Sequence, residues 1–223
     1  MCRVIIMKEI FPGVFVHEGM LLTLNSRPGQ RVYTEKLVRV GGDEYREWIP
    51  SKSKLGAAIK NGLKTFPFAR DSHVLYLGSS TGTTPSHLSD IVRDGSIFCV
   101  EFAERVMQEF LHVAEQRKNL VPILADARKP QDYPWIGEVD VVYEDVAQPD
   151  LVEIGIRNTE RFLRKGGFLM IAIKSQSIDV TEDPKKTYKI CEKKLKDAGY
   201  TVVETIVLEP YEKDHAFIVA RKP

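Results

Sequence analysis

The stretch from His73 to Thr84, HVLYLGSSTGTT, limits what this chain can fold into more than any other. Val74, Leu75, Tyr76 and Leu77 form a short unbroken apolar run, the pattern of a strand buried on both faces. Gly78-Ser79-Ser80-Thr81-Gly82 then turns that strand into a helix that starts near Thr83 and carries Thr84 in its first turn. Glycine lets a backbone approach a bound molecule, and the first N–H groups of a helix have no internal partner, so such a turn can cradle a polar or anionic group. A plain strand-to-helix connection would use the same residue types, so the decision falls to what surrounds the turn.

After the turn, strands and helices alternate. SIFCVE is an apolar run ending at Glu101, and AERVMQEFLHVAEQR is helical with Val106, Phe110 and Val113 on one face. LVPILAD and VDVVYED read as strands reaching Asp126 and Asp145, PDLVEIGIRNTERFLRK as a helix, and GGFLMIAIK as a strand ending at Lys174. DPKKTYKICEKKLKDAG is a Lys-rich amphipathic helix with Tyr188, Cys191 and Leu195 inward, and TVVETIVLEP and HAFIVAR close the chain as two strands joined by a short turn. Repeated β-α units predict an α/β fold with a parallel sheet and right-handed crossovers, whose ligands lie beyond the C-terminal strand ends. The polar residues at those ends are therefore the functional candidates.

The first 50 residues differ in character. VIIMKEI, GVFVHEG and MLLTLN are short β-favouring runs separated by Pro12-Gly13 and by Asn25-Ser26-Arg27-Pro28-Gly29, which predicts hairpins in a small sheet, with His17 a structural strand residue. The expected division is a β-rich domain over 1–50 and an α/β domain over 51–223, a length that holds one substantial core and a small appendage. At the junction, KSKLGAAIKNGLKTF places Leu55, Ile59 and Leu63 at helical spacing, with Ser51 or Ser53 as the cap. Lys52, Lys54, Lys60, Lys64 and Arg70 form a basic stripe with no acid between Ser51 and Arg70. With 32 Lys+Arg against 31 Asp+Glu, only such a local patch could serve nucleic acid, and a solvated helix face is the simpler reading. Cys2, Cys99 and Cys191 share no metal-ligand spacing, no apolar run reaches the ~18 residues of a membrane span, and no signal-peptide core is present. The expectation is a cytoplasmic protein with reduced thiols, no bound metal and no membrane partner.

Glu101 stands about 20 residues past the glycine turn, where a nucleotide-binding sheet carries an acid that accepts from both ribose hydroxyls. Asp126, at the next strand end, could receive an adenine amino group. The turn lacks the third glycine of a dinucleotide fingerprint and the Lys-Ser/Thr of a phosphate-cradling loop. A turn that holds no phosphate fits S-adenosylmethionine, with the methionine carboxylate and amine at the glycines. From residues alone the reading stops at an adenosine-cofactor enzyme, with methyl transfer favoured.

WIPSKSKLGAAI, VLYLGSSTGTTPSHLSDIV, CVEFAERV, PILADARKP, VVYEDVAQPD, IAIKS and PYEKDHA follow one another as the motifs of fibrillarin do, and the chain resembles the archaeal type over nearly its whole length. It lacks the Gly/Arg-rich N-terminal extension of eukaryotic fibrillarins, and has Gly56 where alanine is more usual. The resemblance implies a class I S-adenosylmethionine-dependent methyltransferase with a Rossmann-like, mostly parallel seven-stranded sheet. It further implies methylation of RNA ribose 2′-hydroxyls in pre-rRNA and tRNA, at sites chosen by a box C/D guide RNA. The implied partners are a Nop-domain scaffold protein, the guide and target RNAs, and, indirectly, a kink-turn-binding protein.

Carried over by motif, a Lys-Asp-Lys-His set falls on Lys54, Asp145, Lys174 and His215. The cofactor set is Gly78, Ser79, Ser80, Thr81, Gly82, Thr83, Thr84, Glu101, Phe102, Asp126, Ala127, Asp145 and Gln148, and RNA contacts fall to Lys52, Lys60, Lys64, Arg70, Arg128 and Lys129. A ribose hydroxyl must be held in line with the methyl donor and lose its proton as the bond forms. Lys174, desolvated and beside Lys54, is a candidate to accept that proton, with Asp145 expected to anchor both ammonium groups and His215 to complete the network; the coupling of these groups leaves the acceptor open. Asp145-Val146-Ala147-Gln148 is neither the Asp/Asn-Pro-Pro-aromatic run of amine methylation nor a site with a nucleophilic cysteine for pyrimidine C5. A small-molecule methyltransferase and a catalytically silent scaffold subunit are the competing readings.

Overall fold

A computed structural model describes residues 7–223; Cys2, Arg3 and the beginning of the VIIMKEI run lie outside the described residues. The first sheet comprises β1 (Lys8–Phe11), β2 (Val14–His17), β3 (Met20–Leu24), β4 (Leu37–Val40) and β5 (Asp43–Glu47), antiparallel in the order β1-β2-β3-β5-β4. The hairpins before Asn25 form as the Pro-Gly punctuation predicts. The pair β4 and β5 was not expected, because Asp43-Glu44-Tyr45-Arg46-Glu47 is mostly charged, yet Glu44, Tyr45 and Arg46 are buried. Residues 25–36 are likewise not a tight hairpin turn. They form a loop held from inside by carboxylates: Glu44 accepts from Asn25 Nδ2 (2.8 Å) and Gly29 N (2.6 Å), and Glu35 from Val32 N and Tyr33 N (both 2.8 Å).

Helix α1 (Lys54–Lys60) leads into the second sheet, built from β6 (His73–Leu77), β7 (Ser96–Glu101), β8 (Leu120–Leu124), β9 (Val139–Glu144), β10 (Leu163–Lys174), β11 (Thr201–Val207) and β12 (His215–Arg221). Its order is β11-β12-β10-β9-β6-β7-β8, and β12 alone runs against the rest. Helices α1, α2 (Thr83–Ile91) and α3 (Glu104–Ala114) cover one face with the first sheet, giving a core of Val14, Trp48, Leu55, Leu88, Phe110 and Tyr143. Helices α4 (Leu151–Phe162) and α6 (Pro184–Asp197) cover the other, and Tyr188, Cys191 and Leu195 are buried there as their spacing predicts; the short α5 (Ser175–Ile178) follows β10. From β6 the chain winds outward through β7 and β8 and then returns to lay β9 on the opposite side of β6, which opens a crevice above the C-terminal ends of β6 and β9.

Helix α1 is shorter than its apolar spacing predicts. Gly62, at φ +95°, lets Leu63 N–H turn back to Ala58 O at 3.0 Å, a left-handed closure that ends the helix yet keeps Leu63 buried. The basic stripe is consequently not one surface. Lys52 stays near the crevice, Lys60 Nζ donates to Gly19 O at 2.8 Å, exposed Lys64 lies where the chain meets Glu204 of β11, and Arg70 precedes β6 at the opposite end of the sheet, ion-paired with Asp94. Gly56 faces Trp48, whose indole would lie 3.1 Å from an added Cβ, so its cost in helix propensity is offset by close packing.

A buried polar network joins the first sheet to α2. Arg46, fully buried, donates to Glu35 Oε1 (2.9 Å), Asp90 Oδ2 (2.8 Å) and Ser86 Oγ (3.0 Å), while Arg117 meets Asp90 Oδ1 at 2.6 Å, so two guanidiniums balance two carboxylates. His87 stacks on Trp48 with centroids 4.8 Å apart and bonds Tyr33 and Thr23 through its two nitrogens; burial first, then Arg46 and Arg117, hold it well below the ordinary imidazole range and keep it neutral. Replacing Arg46 by alanine takes the guanidinium from two buried carboxylates, leaving Glu35 only backbone N–H donors and Asp90 only Arg117 to balance its charge, and should cost about 3–5 kcal/mol, read as a lowered urea midpoint. Burial opposes ionisation of Glu35, but the Val32 and Tyr33 N–H groups and Arg46 outweigh it and hold the carboxyl below its usual 4.5. That contribution is complete above about pH 4.5 and fades as pH falls through the lowered folded value, a dependence that should shrink in Arg46→Ala.

Candidate active site

Strand β6 delivers Gly78 to the centre of the crevice at φ +80°, where a Cβ would stand 2.7 Å from the carbonyl oxygen of Asp145. Only glycine fits, because the conformation and the contact both exclude a side chain. Asp145 N–H continues the β9 ladder to Leu77 O at 2.9 Å, so the two strand ends are locked together. Gly82, at φ +94°, is pressed on Phe110, where a Cβ would come within 2.7 Å. The turn between them is held by Glu101, whose Oε2 accepts from Ser80 N (3.1 Å) and Oε1 from Ala103 N (3.0 Å). Each carboxylate oxygen keeps a lone pair for a further donor.

A cavity of about 340 Å³ opens above this turn and is lined by Gly78, Ser80, Glu101, Phe102, Asp126, Ala127, Asp145 and Gln148 among others. Those eight are members of the expected cofactor set. Phe102 is two-thirds exposed, an aromatic face offered to the cavity rather than to the core. A smaller cavity of about 140 Å³ adjoins it through Gly78, Ser80 and Asp145, and is lined further by Ser53, Lys54, Ser79, Thr83 and Thr84. Thr81 departs from expectation: it faces a third cavity, with Arg31 and Glu109, on the other side of the turn. Asp126 is also less free than expected. Arg128 closes on it through side chain (2.9 Å) and backbone (2.9 Å), holding the carboxyl below its ordinary range despite some burial, and the guanidinium assigned to RNA is thereby spent on this pair.

Lys54 is placed by the α1 cap. Ser53 Oγ accepts from Gly56 N at 3.2 Å and bonds Thr84 Oγ1 at 2.8 Å, which ties the start of α1 to the start of α2. Lys54 Nζ reaches Asp145 at 2.7 Å and 3.0 Å, a pair with each side chain about one-fifth to one-quarter exposed. Lys174 and His215 face each other across the antiparallel β10–β12 ladder. Alternation from Tyr143, Ala172 and Phe217, all in the core under α1, sets Asp145, Lys174 and His215 on the α1 side of the sheet with Lys54. His215 Nδ1 lies 2.6 Å from the carbonyl of Lys213, which can only accept, so Nδ1–H donates there and Nε2 is left for another partner. Two expectations are corrected. Among the described residues Asp145 pairs with Lys54 alone, and Lys174 is exposed at its strand end rather than desolvated.

The set suits S-adenosylmethionine on grounds internal to the structure. The glycine contacts leave a cradle that a Cβ would fill, Ser79 Oγ is buried with no hydrogen-bond partner among the described residues, and an acid and an exposed ring flank the larger cavity. Among the described residues no group of three or more His, Cys, Asp or Glu is arranged to hold a metal ion.

The family model for fibrillarin matches residues 5–223. The chain belongs to the fibrillarin family. A Thermococcus gammatolerans relative named fibrillarin-like rRNA/tRNA 2′-O-methyltransferase is 52% identical over 223 residues, spanning 97% of this chain and 98% of its own. The solved Aeropyrum pernix fibrillarin in complex with natively bound S-adenosyl-L-methionine superposes with a TM-score of 0.89 at 45% identity, covering 99% of this chain and 100% of that one. A solved fibrillarin/Nop5p complex superposes with a TM-score of 0.90 at 38% identity, covering 97% and 100%. The fold expectation, a Rossmann-like methyltransferase sheet behind an N-terminal β sheet, is met.

Family motifs carried most of the site; Glu212, which lines the smaller cavity, was within the quoted PYEKDHA segment but received no role. Glu144, inside the VVYEDVAQPD motif, likewise had no assigned role. It is fully buried beside Asp145 with neither carboxylate oxygen hydrogen-bonded among the described residues, and Gly155 of α4 leaves it room. Burial, then Asp150 and Asp145, push its carboxyl well above the ordinary range and keep it neutral. A group with a raised folded value loses stability as pH climbs above its unfolded value, so Glu144→Gln should stabilise the fold near neutral pH. Urea titrations should show that gain shrinking as pH approaches about 4.5.

Proposed function

We propose that this chain is an S-adenosylmethionine-dependent RNA ribose 2′-O-methyltransferase, the catalytic subunit of a box C/D guide ribonucleoprotein acting on pre-rRNA and tRNA. The observation that carries it is the Lys54–Asp145 ion pair at the seam between the larger cavity and the smaller one, with Lys174 and His215 on the same side of the sheet. When bound, S-adenosylmethionine supplies an electrophilic methyl group. Gly78, Ser79, Ser80 and Gly82 with Thr83 and Thr84 would receive its amino-acid end, Glu101 its ribose hydroxyls, and Phe102, Asp126, Ala127 and Gln148 its base side. Phosphate-free recognition is consistent with a turn that has no lysine of its own.

The RNA side falls to the remaining groups. Asp145 holds the Lys54 ammonium in place, and Lys54 orients the ribose through its other N–H donors. Lys174 takes the 2′-hydroxyl proton. It is exposed in the free chain, so the desolvation that lets an amine act as a base comes with the RNA that covers it. His215, with Nε2 available, completes the relay. Lys52 and Lys129, both exposed, meet backbone phosphates, while sequence choice rests with guide pairing. The family's solved complex with Nop5p supports a Nop-domain scaffold as the protein that brings the chain to its guide, and a kink-turn-binding protein would join only through that assembly.

In a reconstituted guide ribonucleoprotein, radiolabelled methyl transfer should disappear when the designated target nucleotide is 2′-deoxy. Label retained on that target would place the methyl on a base and refute the ribose reading. Lys174→Arg should move or abolish the rise of the rate with pH that deprotonation of the acceptor produces, and an unchanged pH–rate profile would remove Lys174 as the proton acceptor.

A further inference from the structure

The loop 25–36 and helix α3 enclose the third cavity, about 380 Å³, across the glycine turn from the cofactor cleft. That volume lies in the range of small-ligand sites, about 300–1,000 Å³. Arg117 in its wall is committed to Asp90 and Ser26. Arg27 and Arg31 are different: both are exposed, and among the described residues neither guanidinium has an ion-pair partner. They are nevertheless presented from an ordered backbone, because Arg27 N donates to Asn25 Oδ1 (3.0 Å), Gly29 N to Glu44, and Val32 N to Glu35. Holding a loop in its binding conformation removes part of the entropy cost of binding.

Two free guanidinium forks match phosphate oxygens. Inorganic phosphate alone would leave most of the volume empty and would face Glu109, an acid on the same wall. Glu109 and Gln30 instead suit hydroxyl donors, and a ribose 2′-hydroxyl beside a phosphodiester supplies both chemistries. Position selects the same ligand. Thr83 lines this cavity and also the small one that holds Lys54 and Asp145, so a strand seated in one passes directly beside the other.

We propose that this cavity is a phosphodiester subsite that grips the RNA backbone next to the nucleotide being methylated, with Arg27 and Arg31 on phosphate and Glu109 on a ribose hydroxyl. The proposal rests on the RNA reading above, and none of the lysines and arginines assigned there belongs to this site.

The test is Arg27→Ala/Arg31→Ala in the reconstituted guide ribonucleoprotein, with Arg27→Lys/Arg31→Lys as the conservative partner. Cofactor affinity of the free chain, measured by calorimetry, should be unchanged, which also verifies folding. The kcat/KM for target RNA should fall about tenfold, kcat at saturating target should fall less, and the slope of log kcat/KM against log salt should become shallower by about 1 to 2. The lysine pair should recover the salt slope but only part of the affinity. An unaltered kcat/KM and salt slope overturn the subsite. Loss of scaffold association with an unaltered salt slope overturns it in favour of an acidic protein segment as the occupant. Absence of ribose methylation by the unsubstituted chain would instead refute the reading it rests on.

Discussion

The crevice exists because the α-carbon of residue 78 is pressed against the carbonyl of Asp145, with no room for even one methyl group between them. That contact brings the ends of β6 and β9 together, and it is only there that the turn after β6 and the carboxylate after β9 can face a common ligand. The other supports converge on the same point. Glu101 holds the turn from the β7 side, Phe110 of α3 backs Gly82, and the Ser53–Thr84 hydrogen bond brings Lys54 over the top. A ligand entering this space meets groups whose orientation has already been settled by the backbone.

The α/β portion was legible because each of its signals is local. Unbroken apolar runs bounded by glycine or acid mark buried parallel strands, and the spacing of Tyr188, Cys191 and Leu195 is that of one helix face. The strand-end acids were legible for the same reason, since a residue that terminates such a run must emerge at the sheet's rim. What escaped reading depends on partners distant in sequence. Asp43 to Glu47 looks like a solvated segment until Arg46 is matched with Glu35 and Asp90. The charge stripe on Lys52 to Arg70 looks continuous until Gly62 turns the chain down the height of the sheet. Arg128 is the exception, since its partner Asp126 is only two residues away and either side chain could equally have faced solvent.

The first sheet is attached by chemistry that an apolar interface would not need. Trp48 and Val14 supply ordinary packing, but the deepest contact is a set of charges and an imidazole satisfied in all directions. Such a network holds one arrangement well and tolerates neighbouring ones poorly, because any shift leaves a buried charge alone. Of its partners on the α/β side, Ser86, His87 and Asp90 belong to α2, the helix that begins at the glycine turn, and Arg117 follows α3. The N-terminal sheet is therefore anchored to the element whose first residues form the site's floor, and the loop that carries Arg27 and Arg31 is fastened to the same helix through Ser26 and Asp90.

Strands β10 and β12 pair without interruption from Phe168 opposite Arg221 to Lys174 opposite His215, whereas β11 at the rim has an irregularity between Val202 and Glu204. Side chains alternate across a sheet, so the spacing along these two inner strands decides which face receives the lysine and the histidine. Loss of a single interior residue from either strand would rotate one of them toward α4 and α6 while leaving every site residue present in the chain. Insertions and deletions can accumulate at the margin, but the length of the inner ladder is itself part of the active site's composition.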